Sequence, residues 1–192
     1  KNKIQRFSEM RFGVIGLGRI GTSVALKAKA LGFGVHFYDP YLSNGVDKSL
    51  GVSRIKNFDD FLAVTDVISI NCPLTEETHH MITNKEIDKM QKSAFIVNTA
   101  RGPIIKKKDL FAALKKHKIA GAALDVIEDE PLKTKAEAKT PNLIVTCHSG
   151  FYSLQAAWEM RHKAAAQARN MIEGGKIENC VNCNYLPRNF LK

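Results

Sequence analysis

The sequence predicts an α/β fold built on a doubly wound parallel sheet, and three observations favour it. Short apolar runs alternate along the chain with segments of helical periodicity. These runs are apolar throughout, which is typical of parallel strands that are buried on both faces. A glycine-rich turn joins the first run to the first helical segment. With 192 residues, of which 44% are hydrophobic, the chain can bury one core.

The segment around the turn predicts the first strand and helix. The apolar run Phe12–Ile15 leads into Gly16-Leu-Gly-Arg-Ile-Gly21, and apolar residues then recur at helical spacing as far as Leu31. The three glycines would let the chain reverse, let the backbone approach a pyrophosphate at Gly18, and let the helix lie close to the strand. The helix N-terminus would present unpaired N–H groups to phosphate. This pattern is typical of a Rossmann fold that binds a dinucleotide.

The second strand carries the next signal. Gly34–Tyr38 ends at Asp39, where such folds place the acid that binds the adenosine ribose. A carboxylate there accepts hydrogen bonds from both ribose hydroxyls and repels a 2′-phosphate, and no arginine follows before Arg54. The sequence therefore predicts NAD(H) rather than NADP(H). A doubly wound domain that binds another nucleotide, or none, is the alternative.

Further strands and helices follow in alternation. A helix is predicted to start at Asn57 with acids in its first turn, and Thr83–Glu86 has the capping-box pattern of another start. Ser153 is predicted to cap a long helix with an apolar stripe that ends at the glycine pair 174–175. The polar segment Lys133–Thr140 is predicted to be a surface connection. The remaining predictions are strands at Val67–Ile70, Ala94–Val97, Ala120–Leu124 and Leu143–Thr146, and a helix at Lys107–Lys116.

Composition narrows the class of protein. No stretch approaches the roughly 18 to 20 apolar residues of a membrane span, and residues 1–11 lack the apolar core of a signal peptide, so a soluble, cytoplasmic protein is expected. Four irregularly spaced cysteines favour reduced thiols. Cys180 and Cys183 have CxxC spacing without a second pair, and His79-His80 lack acid or thiol ligands at suitable spacing. No metal site is predicted.

The formal net charge of +10 raises the possibility of nucleic-acid binding. Most of the excess is scattered lysine, and the densest groups, Lys106–Lys108 and Lys115–Lys118, fall at the two ends of one predicted helix. No aromatic residues are interleaved there for base stacking. A solvated helix face is the favoured interpretation, and direct nucleic-acid binding is not expected.

Three polar residues stand just beyond predicted strands. In an open parallel sheet the carboxyl ends of the strands meet at one edge, where ligands bind. Taken singly, Arg101 would be a surface ion pair, Glu130 a turn acid and His148 a structural histidine; their joint placement indicates a site. A guanidinium to hold a carboxylate and an imidazole with its own acid partner are what hydride transfer to a 2-keto acid requires.

Three blocks of sequence resemble the signature blocks of the D-isomer-specific 2-hydroxyacid dehydrogenases. They are Val97–Pro103 (VNTARGP), Gly121–Pro131 (GAALDVIEDEP) and Thr146–Gly150 (TCHSG). The segments 37–42, 151–153, 159–161 and 179–182 are similar to the C-terminal-binding-protein branch of that family. The resemblance runs over nearly the whole chain.

The resemblance implies a role for each site residue. Arg101 would bind the substrate carboxylate and polarise the carbonyl, His148 would be the general acid for keto-acid reduction, and Glu130 would pair with the imidazole. A carboxylate beside an imidazole favours its protonated form, and a planar guanidinium can hold a carboxylate bidentately. Asp125 would orient the nicotinamide carboxamide. The residues implied to contact NAD are Gly16, Gly18, Arg19, Ile20, Gly21, Asp39, Cys72, Pro73, Thr78, Thr99, Ala100, Arg101, Asp125, His148 and Gly150.

The chain departs from the family pattern at several positions. Cys147 precedes the histidine where proline is common, and Phe151 replaces the branch's tryptophan, which removes an indole N–H donor. The substrate-domain segment that opens family members is not in this sequence. Residues 1–10 are therefore expected to cross from that domain, 11–152 to form the NAD-binding Rossmann domain, and 153–192 to return to the substrate domain. Such a chain would bind cofactor but turn over poorly alone.

Two functions are compatible with the resemblance. The first is an NAD-dependent oxidoreductase that acts on the CH–OH group of a small D-2-hydroxy acid or reduces the 2-keto acid. The second is an NAD(H)-sensing, corepressor-like protein that dimerises on binding cofactor, captures protein partners and could be nuclear. A plain NAD-binding dimerisation module is a third possibility. By resemblance alone, a homodimer through the nucleotide-binding domain is expected.

Overall fold

One sheet of seven parallel strands organises residues 4–175, the part of the chain that this computed structural model describes. The strands are β1 (Arg11–Ile15), β2 (Gly34–Tyr38), β3 (Ser53–Arg54), β4 (Val67–Ile70), β5 (Phe95–Asn98), β6 (Gly121–Leu124) and β7 (Leu143–Val145). Their order across the sheet is β3-β2-β1-β4-β5-β6-β7. The order runs outwards from β1 in both directions and reverses between β1 and β4. The predicted doubly wound parallel sheet is confirmed.

Seven α-helices lie in the described residues. They are α1 (Arg19–Ala30), α2 (Val46–Leu50), α3 (Phe58–Val64), α4 (Asn84–Ile87), α5 (Lys107–Lys115), α6 (Lys135–Ala138) and α7 (Leu154–Ile172), with 3₁₀ turns at Phe7–Glu9 and Gly102–Ile104. None of these helices is both long and apolar enough to cross a membrane.

Side-chain caps start two of the predicted helices. Asn57 accepts a hydrogen bond from the Asp60 N–H at the start of α3. Thr83 and Glu86 form a capping box at the start of α4, each side chain satisfying the other residue's backbone. Both predicted helix starts are confirmed.

Apolar cores fill both faces of the sheet. Val14 and Ile15 are neighbours in β1, both are buried, and they belong to different cores because successive strand residues point to opposite faces. The core of Val14 includes Ala25 and Ala28 of α1. The core of Ile15 includes side chains from α3, α4 and α5, among them Phe61, Leu62, Ile87, Leu110 and Leu114. Burial on both faces explains why the strands are continuously apolar.

Some elements are absent from the sequence prediction. Strand β3 has two residues, Ser53 and Arg54, and lies at the sheet edge. Helix α2 has five residues and stands between Gly45 and Gly51, whose φ angles are +98° and +61°. The predicted surface connection Lys133–Thr140 also holds α6, which starts with a second capping box.

The chain divides into two compact units, one ending at His148 and one beginning at Ser149. In the second unit, Ser153 accepts a hydrogen bond from the Ala156 N–H and caps α7, as predicted. Residues 1–3 and 176–192 lie outside the described part of the chain, and with them lie Cys180 and Cys183 and the branch-like segment 179–182.

Candidate functional site

The glycine turn reverses the chain where β1 ends. Gly16 has a φ of +83°, which glycine adopts without strain, and its N–H donates to the Tyr38 carbonyl at 2.9 Å. A Cβ on Gly16 would lie 2.8 Å from the backbone of Cys72, and a Cβ on Gly21 would lie 2.0 Å from the Gly16 carbonyl oxygen. Neither position has room for a side chain, so α1 starts directly against the turn.

Gly18 differs from the other two because its unsubstituted side faces open space. A Cβ there would have no described atom within 4 Å outside the neighbouring residues and the helix's own backbone. Gly18 caps α1 without a side-chain hydrogen bond, and the first turn of α1 contains no acidic residue. The helix N-terminus therefore presents backbone N–H groups and a partial positive charge to an open site, which suits a phosphate group.

Asp39 is fixed by the backbone on either side of it. Its Oδ2 accepts the Leu17 N–H at 2.9 Å, and its Oδ1 accepts the Tyr41 N–H at 3.0 Å. An ionised carboxylate has about four acceptor positions, so each oxygen keeps one for a ligand hydroxyl. The acid at the end of β2 is thus held against the glycine turn and remains able to accept two more hydrogen bonds.

Two clefts border the turn at the carboxyl edge of the sheet. The larger has a volume of about 800 Å³ and the smaller about 470 Å³, within the range of small-molecule sites. The larger is lined by these residues predicted from the sequence: Gly16, Gly18, Asp39, Cys72, Pro73 and Thr78. The smaller is lined by Arg19, Ile20, Cys72, Pro73, Thr99, Ala100 and Arg101. The buried Gly21, together with Asp125 and His148, is not among the residues that line these two clefts.

Asn71 and Cys72 line both clefts. The Asn71 Nδ2 donates to the carbonyl and hydroxyl oxygens of Ser69 at 3.1 and 3.0 Å. The Asn71 Oδ1 is a buried acceptor with no hydrogen-bond donor among the described residues. Burial raises the pKa of the Cys72 thiol to about 11, so this thiol stays neutral near pH 7.

Asn98 shapes the loop that follows β5; its place after an apolar run puts it at the carboxyl edge of the predicted sheet, but the sequence assigned it no role in the site. Its side chain is fully buried, its Nδ2 donates to the Arg101 carbonyl at 2.9 Å, and its Oδ1 accepts the Ala100 N–H at 3.0 Å. The exposed Arg101 side chain donates from Nη1 to the Ala100 carbonyl at 2.6 Å. A polar amide that ends an apolar strand was the available signal, because a buried amide requires partners.

His148 and Glu130 are paired, as the sequence predicted. Nδ1 of His148 lies 3.0 Å from Oε2 of Glu130, and both side chains are partly exposed. An ionised carboxylate only accepts hydrogen bonds, so Nδ1 carries the proton of this bond. The φ of His148 is +55°, a left-handed conformation that costs a residue with a Cβ about 1–2 kcal/mol and is often found at functional sites.

Asp125 lies at the same edge, directly after β6. Its side chain is buried, its N–H donates to the Asn98 carbonyl at 2.9 Å, and the Thr146 hydroxyl donates to its carboxylate. Thr146 was not predicted as a site residue. Gly150 belongs to the second compact unit. The first unit therefore brings together residues that follow β1, β2, β4, β5, β6 and β7.

Comparison with known proteins identifies the family. Residues 1–150 match the family described as D-isomer specific 2-hydroxyacid dehydrogenase, NAD binding domain. The chain belongs to this family.

Curated relatives include a dehydrogenase and a binding protein. A D-3-phosphoglycerate dehydrogenase of Methanocaldococcus jannaschii is 40% identical over 179 residues, which are 93% of this chain and 34% of that protein. C-terminal-binding protein 1 of Caenorhabditis elegans is 36% identical over 183 residues, 92% of this chain and 25% of that protein. The chain thus spans about a third or less of these relatives.

Solved structures of the family agree in fold. A glyoxylate reductase from Paecilomyes thermophila superposes with a TM-score of 0.83 at 32% identity, covering 93% of this chain and 54% of that one. A D-isomer specific 2-hydroxyacid dehydrogenase from Lactobacillus delbrueckii ssp. bulgaricus, in its NAD-complexed form, has a TM-score of 0.80 at 31% identity and is covered to 58%.

The residues around the turn fit the dinucleotide that the family's domain binds. Gly18 leaves space for phosphate, α1 has no acid in its first turn, and Asp39 retains acceptor positions for hydroxyl groups. The orphaned acceptor of Asn71 lies beside both clefts. These features suit an NAD-binding site.

Proposed function

We propose that this chain is the NAD-binding domain of an oxidoreductase that transfers a hydride between NAD(H) and a small D-2-hydroxy or 2-keto acid. The observation that carries the proposal is the His148–Glu130 pair, which stands at the same sheet edge as the glycine turn and Arg101. An imidazole with an acid partner and a guanidinium are the protein groups that this reaction needs.

His148 is the proposed general acid. Its Nδ1–H is directed to Glu130, so Nε2 of the imidazolium is the atom that gives a proton to the carbonyl oxygen of a keto acid. Glu130 stabilises the charged imidazolium and fixes the ring. In the reverse direction, neutral Nε2 accepts the hydroxyl proton. When bound, NADH supplies the hydride.

Arg101 is proposed to hold the substrate carboxylate and to polarise the carbonyl. Its planar guanidinium has five N–H donors, so it can form two parallel hydrogen bonds to a carboxylate. Asn98 accepts the Ala100 N–H and donates to the Arg101 carbonyl, and it thereby positions the loop from which Arg101 projects. Arg101 and the cofactor-side residues Thr99 and Ala100 line the same cleft.

Most of the proposed cofactor contacts line the two clefts. The glycine turn and the start of α1 (Gly16, Gly18, Arg19, Ile20 and Gly21) would hold the pyrophosphate, and Asp39 would bind the adenosine ribose. Cys72, Pro73 and Thr78 would line the adenosine and phosphate side, Asp125 would orient the nicotinamide carboxamide, and the contacts of Thr99, Ala100, Arg101, His148 and Gly150 would complete the set.

The proposed preference for NAD over NADP depends on Asp39 and its surroundings. Arg54 lies on β3, the edge strand next to β2, and lines a third cleft together with Asp39. A guanidinium therefore does lie near Asp39. That guanidinium donates to the Leu42 and Ser43 carbonyls at 2.8 and 2.7 Å and lies over the Phe37 ring. Because Arg54 is engaged in this way, it offers little compensation for the repulsion between Asp39 and a 2′-phosphate.

The proposed domain plan assigns residues 1–10 to a crossing segment, 11–152 to the NAD-binding domain, and 153–192 to a return towards a substrate domain in the complete protein. The chain's 50–58% coverage of solved family structures supports a second domain. A homodimer through the NAD-binding domain and a cytoplasmic location complete this proposal. Closure of two domains would exclude water from the reacting atoms.

A corepressor-like role is the second candidate. The 36% identity to C-terminal-binding protein 1 of Caenorhabditis elegans favours it, together with the branch-like segments at 37–42 and 151–153. In this role, NAD(H) would control dimerisation and capture of protein partners, and the protein would be nuclear. This chain has Arg101, Glu130 and His148, the three residues proposed for catalysis, and their presence favours the enzymatic role over this second candidate.

A fluorescence titration of the 192-residue chain with NADH and, in parallel, NADPH tests the cofactor proposal. Micromolar NADH binding with much weaker NADPH binding is expected. The reaction is tested in the complete protein with a panel of 2-keto acids, following NADH absorbance. Tight NADH binding without turnover of any acid, but with cofactor-dependent capture of peptides, would favour the corepressor-like role. Absence of NADH binding by the folded chain would contradict both.

A further inference from the structure

Two adjacent histidines and one distant glutamate come together outside the clefts described above. His79 and His80 lie in the loop between β4 and α4, and Glu128 lies in the turn that follows β6. One ligand atom from each residue lies within 4.8 Å of the other two. Sequence reasoning rejected the histidine pair as a metal site because no acid stood at a suitable spacing, and the fold supplies that acid from 48 residues away.

Backbone conformation brings the two imidazoles to the same side. The φ of His80 is +51°, in the left-handed region that residues other than glycine rarely adopt. The His80 N–H donates to the Pro103 carbonyl at 2.8 Å, and the His79 N–H donates to the Thr75 carbonyl at 2.9 Å, which fixes both residues. The ring centroids are 4.0 Å apart. In an extended segment, neighbouring side chains would instead point in opposite directions.

Glu128 is fixed between a helix and a histidine. Its Oε2 accepts the Lys107 N–H at 3.1 Å, and its Oε1 lies 2.6 Å from His80 Nε2.

The nearby lysine charges are partly neutralised. Lys107 Nζ lies 3.0 Å from Glu137 Oε1, and Lys106 Nζ lies 3.9 Å from Asp109 Oδ2. The lysines at the start of α5 therefore have acidic partners other than Glu128, and the Glu128 carboxylate remains available to a metal ion. His79 is exposed, whereas His80 and Glu128 are partly buried, so the cluster can be reached from solvent and retains a fixed base.

We propose that His79, His80 and Glu128 bind a divalent transition-metal ion, with Zn²⁺ the best match to the donor set. Two imidazole nitrogens and one carboxylate oxygen are a known zinc ligand set, which leaves one position for water. The ion takes the place of the hydrogen between His80 Nε2 and Glu128 Oε1, and the imidazole binds it as the Nδ1–H tautomer, in which Nε2 offers its lone pair. Formation of the site requires the His80–Glu128 contact to widen and the exposed His79 ring to swing inwards.

The ion would act on structure rather than on hydride transfer. It would join the loop after β4 to the turn that carries Glu130, two residues beyond Glu128. None of the three ligands lines the two clefts beside the glycine turn. The proposal therefore stands or falls independently of the proposed enzymatic function.

The test is a titration of the 192-residue chain with CoCl₂, followed by displacement with ZnCl₂. Co²⁺ in a site of low coordination number gives visible absorption bands, which saturate at one ion per chain if the proposal is correct. His79→Ala should weaken Zn²⁺ binding by about tenfold or more, because it removes one ligand while the His80–Glu128 pair stays intact. His162→Ala removes an exposed imidazole of α7 and should leave the affinity unchanged.

A second pair of variants keeps the result decisive. Glu128→Gln should also weaken binding by about tenfold or more, since a neutral amide is a poor ligand for Zn²⁺. Cys180→Ser/Cys183→Ser should bind the ion as the wild-type chain does. Wild-type affinity in folded His79→Ala, absence of saturable binding, or loss of binding in the cysteine variant would each overturn the proposal.

Discussion

Glu130 and His148 are joined through Oε2 and Nδ1 at 3.0 Å, although 18 residues separate them in sequence. The other carboxylate oxygen of Glu130 accepts the Ile127 N–H at 3.1 Å, so the acid is anchored to its own turn while it orients the imidazole. This arrangement fixes which ring nitrogen faces the carboxylate.

Removal of either partner should reduce turnover in the complete protein. His148→Ala is expected to lower kcat by roughly two to four orders of magnitude, because the general acid is lost. Glu130→Gln should lower kcat by at least about a hundredfold, because a neutral amide no longer stabilises the imidazolium. NADH binding should persist in both. Asp129→Asn is the control, since Asp129 is exposed in the same turn and its φ of +59° suits asparagine. Unchanged kcat in His148→Ala would remove His148 from the mechanism.

Two glycine substitutions should separate folding from cofactor binding. Gly18→Ala adds a methyl group where the described structure has open space, so the melting temperature should stay nearly constant while NADH binding weakens by about tenfold or more. Gly21→Ala places a Cβ 2.0 Å from the Gly16 carbonyl oxygen and should destabilise the fold by about 1–3 kcal/mol. Calorimetry and an NADH titration measure both effects. Equal loss of stability in the two variants would contradict this assignment.

Asp39→Asn should change the choice of cofactor. Loss of the charge should weaken NADH binding by roughly tenfold to a hundredfold, since hydrogen bonds to charged groups contribute about 1.5–3 kcal/mol. NADPH binding should improve because the like-charge repulsion disappears. Asp47→Asn in α2 removes the same charge outside the clefts and should change neither affinity. A constant ratio of the two dissociation constants in Asp39→Asn would show that another group sets the preference.

Buried His36 should make stability depend on pH. Burial, reinforced by the nearby Arg11 charge, lowers the pKa of His36 from 6.5 to about 4, while Asp66 opposes the shift. Between pH 4 and pH 6.5 the unfolded chain binds more protons than the folded chain. The stability that the neutral, buried His36 contributes is therefore complete above pH 6.5 and is lost as the pH falls towards 4. The expected loss is about 3 kcal/mol in the free energy of unfolding.

Denaturant unfolding of the wild-type chain and of His36→Phe at a series of pH values isolates this contribution. Phenylalanine keeps a ring next to Phe61, which His36 contacts edge to face. The variant should show a shallower pH dependence between 4 and 6.5 than the wild type. Identical slopes in the two proteins would mean that His36 is not responsible.

Strong local signals made most of the fold predictable. Continuous apolar runs located six of the seven strands, and the side chains of Asn57, Thr83 and Ser153 marked helix starts that the structure confirms. Strand β3 was not predictable because two residues at an edge carry no periodicity. Helix α2 is too short for an apolar stripe and is bounded by glycines, which usually indicate turns.

Site residues that local sequence spacing identifies one at a time were predictable. Contacts between two residues far apart in sequence were less so. The positions of Gly16 and Asp39 follow from spacing along a single βαβ unit. The pairing of His80 with Glu128 joins residues 48 positions apart, and the bond between Thr146 and Asp125 joins residues 21 apart. Such contacts depend on which strands are neighbours, and that information is absent from local sequence.

The N-terminus of helix α5 depends on Glu128, which lies beyond the next strand, β6. The Lys106 side chain does not cap the helix. The first N–H of the helix, that of Lys107, donates instead to Glu128 in the turn after β6. The amino end of the helix is therefore complete only once β6 has joined the sheet. In native-state hydrogen exchange, the amides of this first turn and of β6 should open together as one cooperative unit. Loss of the Glu128 carboxylate would let the helix end fray while the strand stays protected.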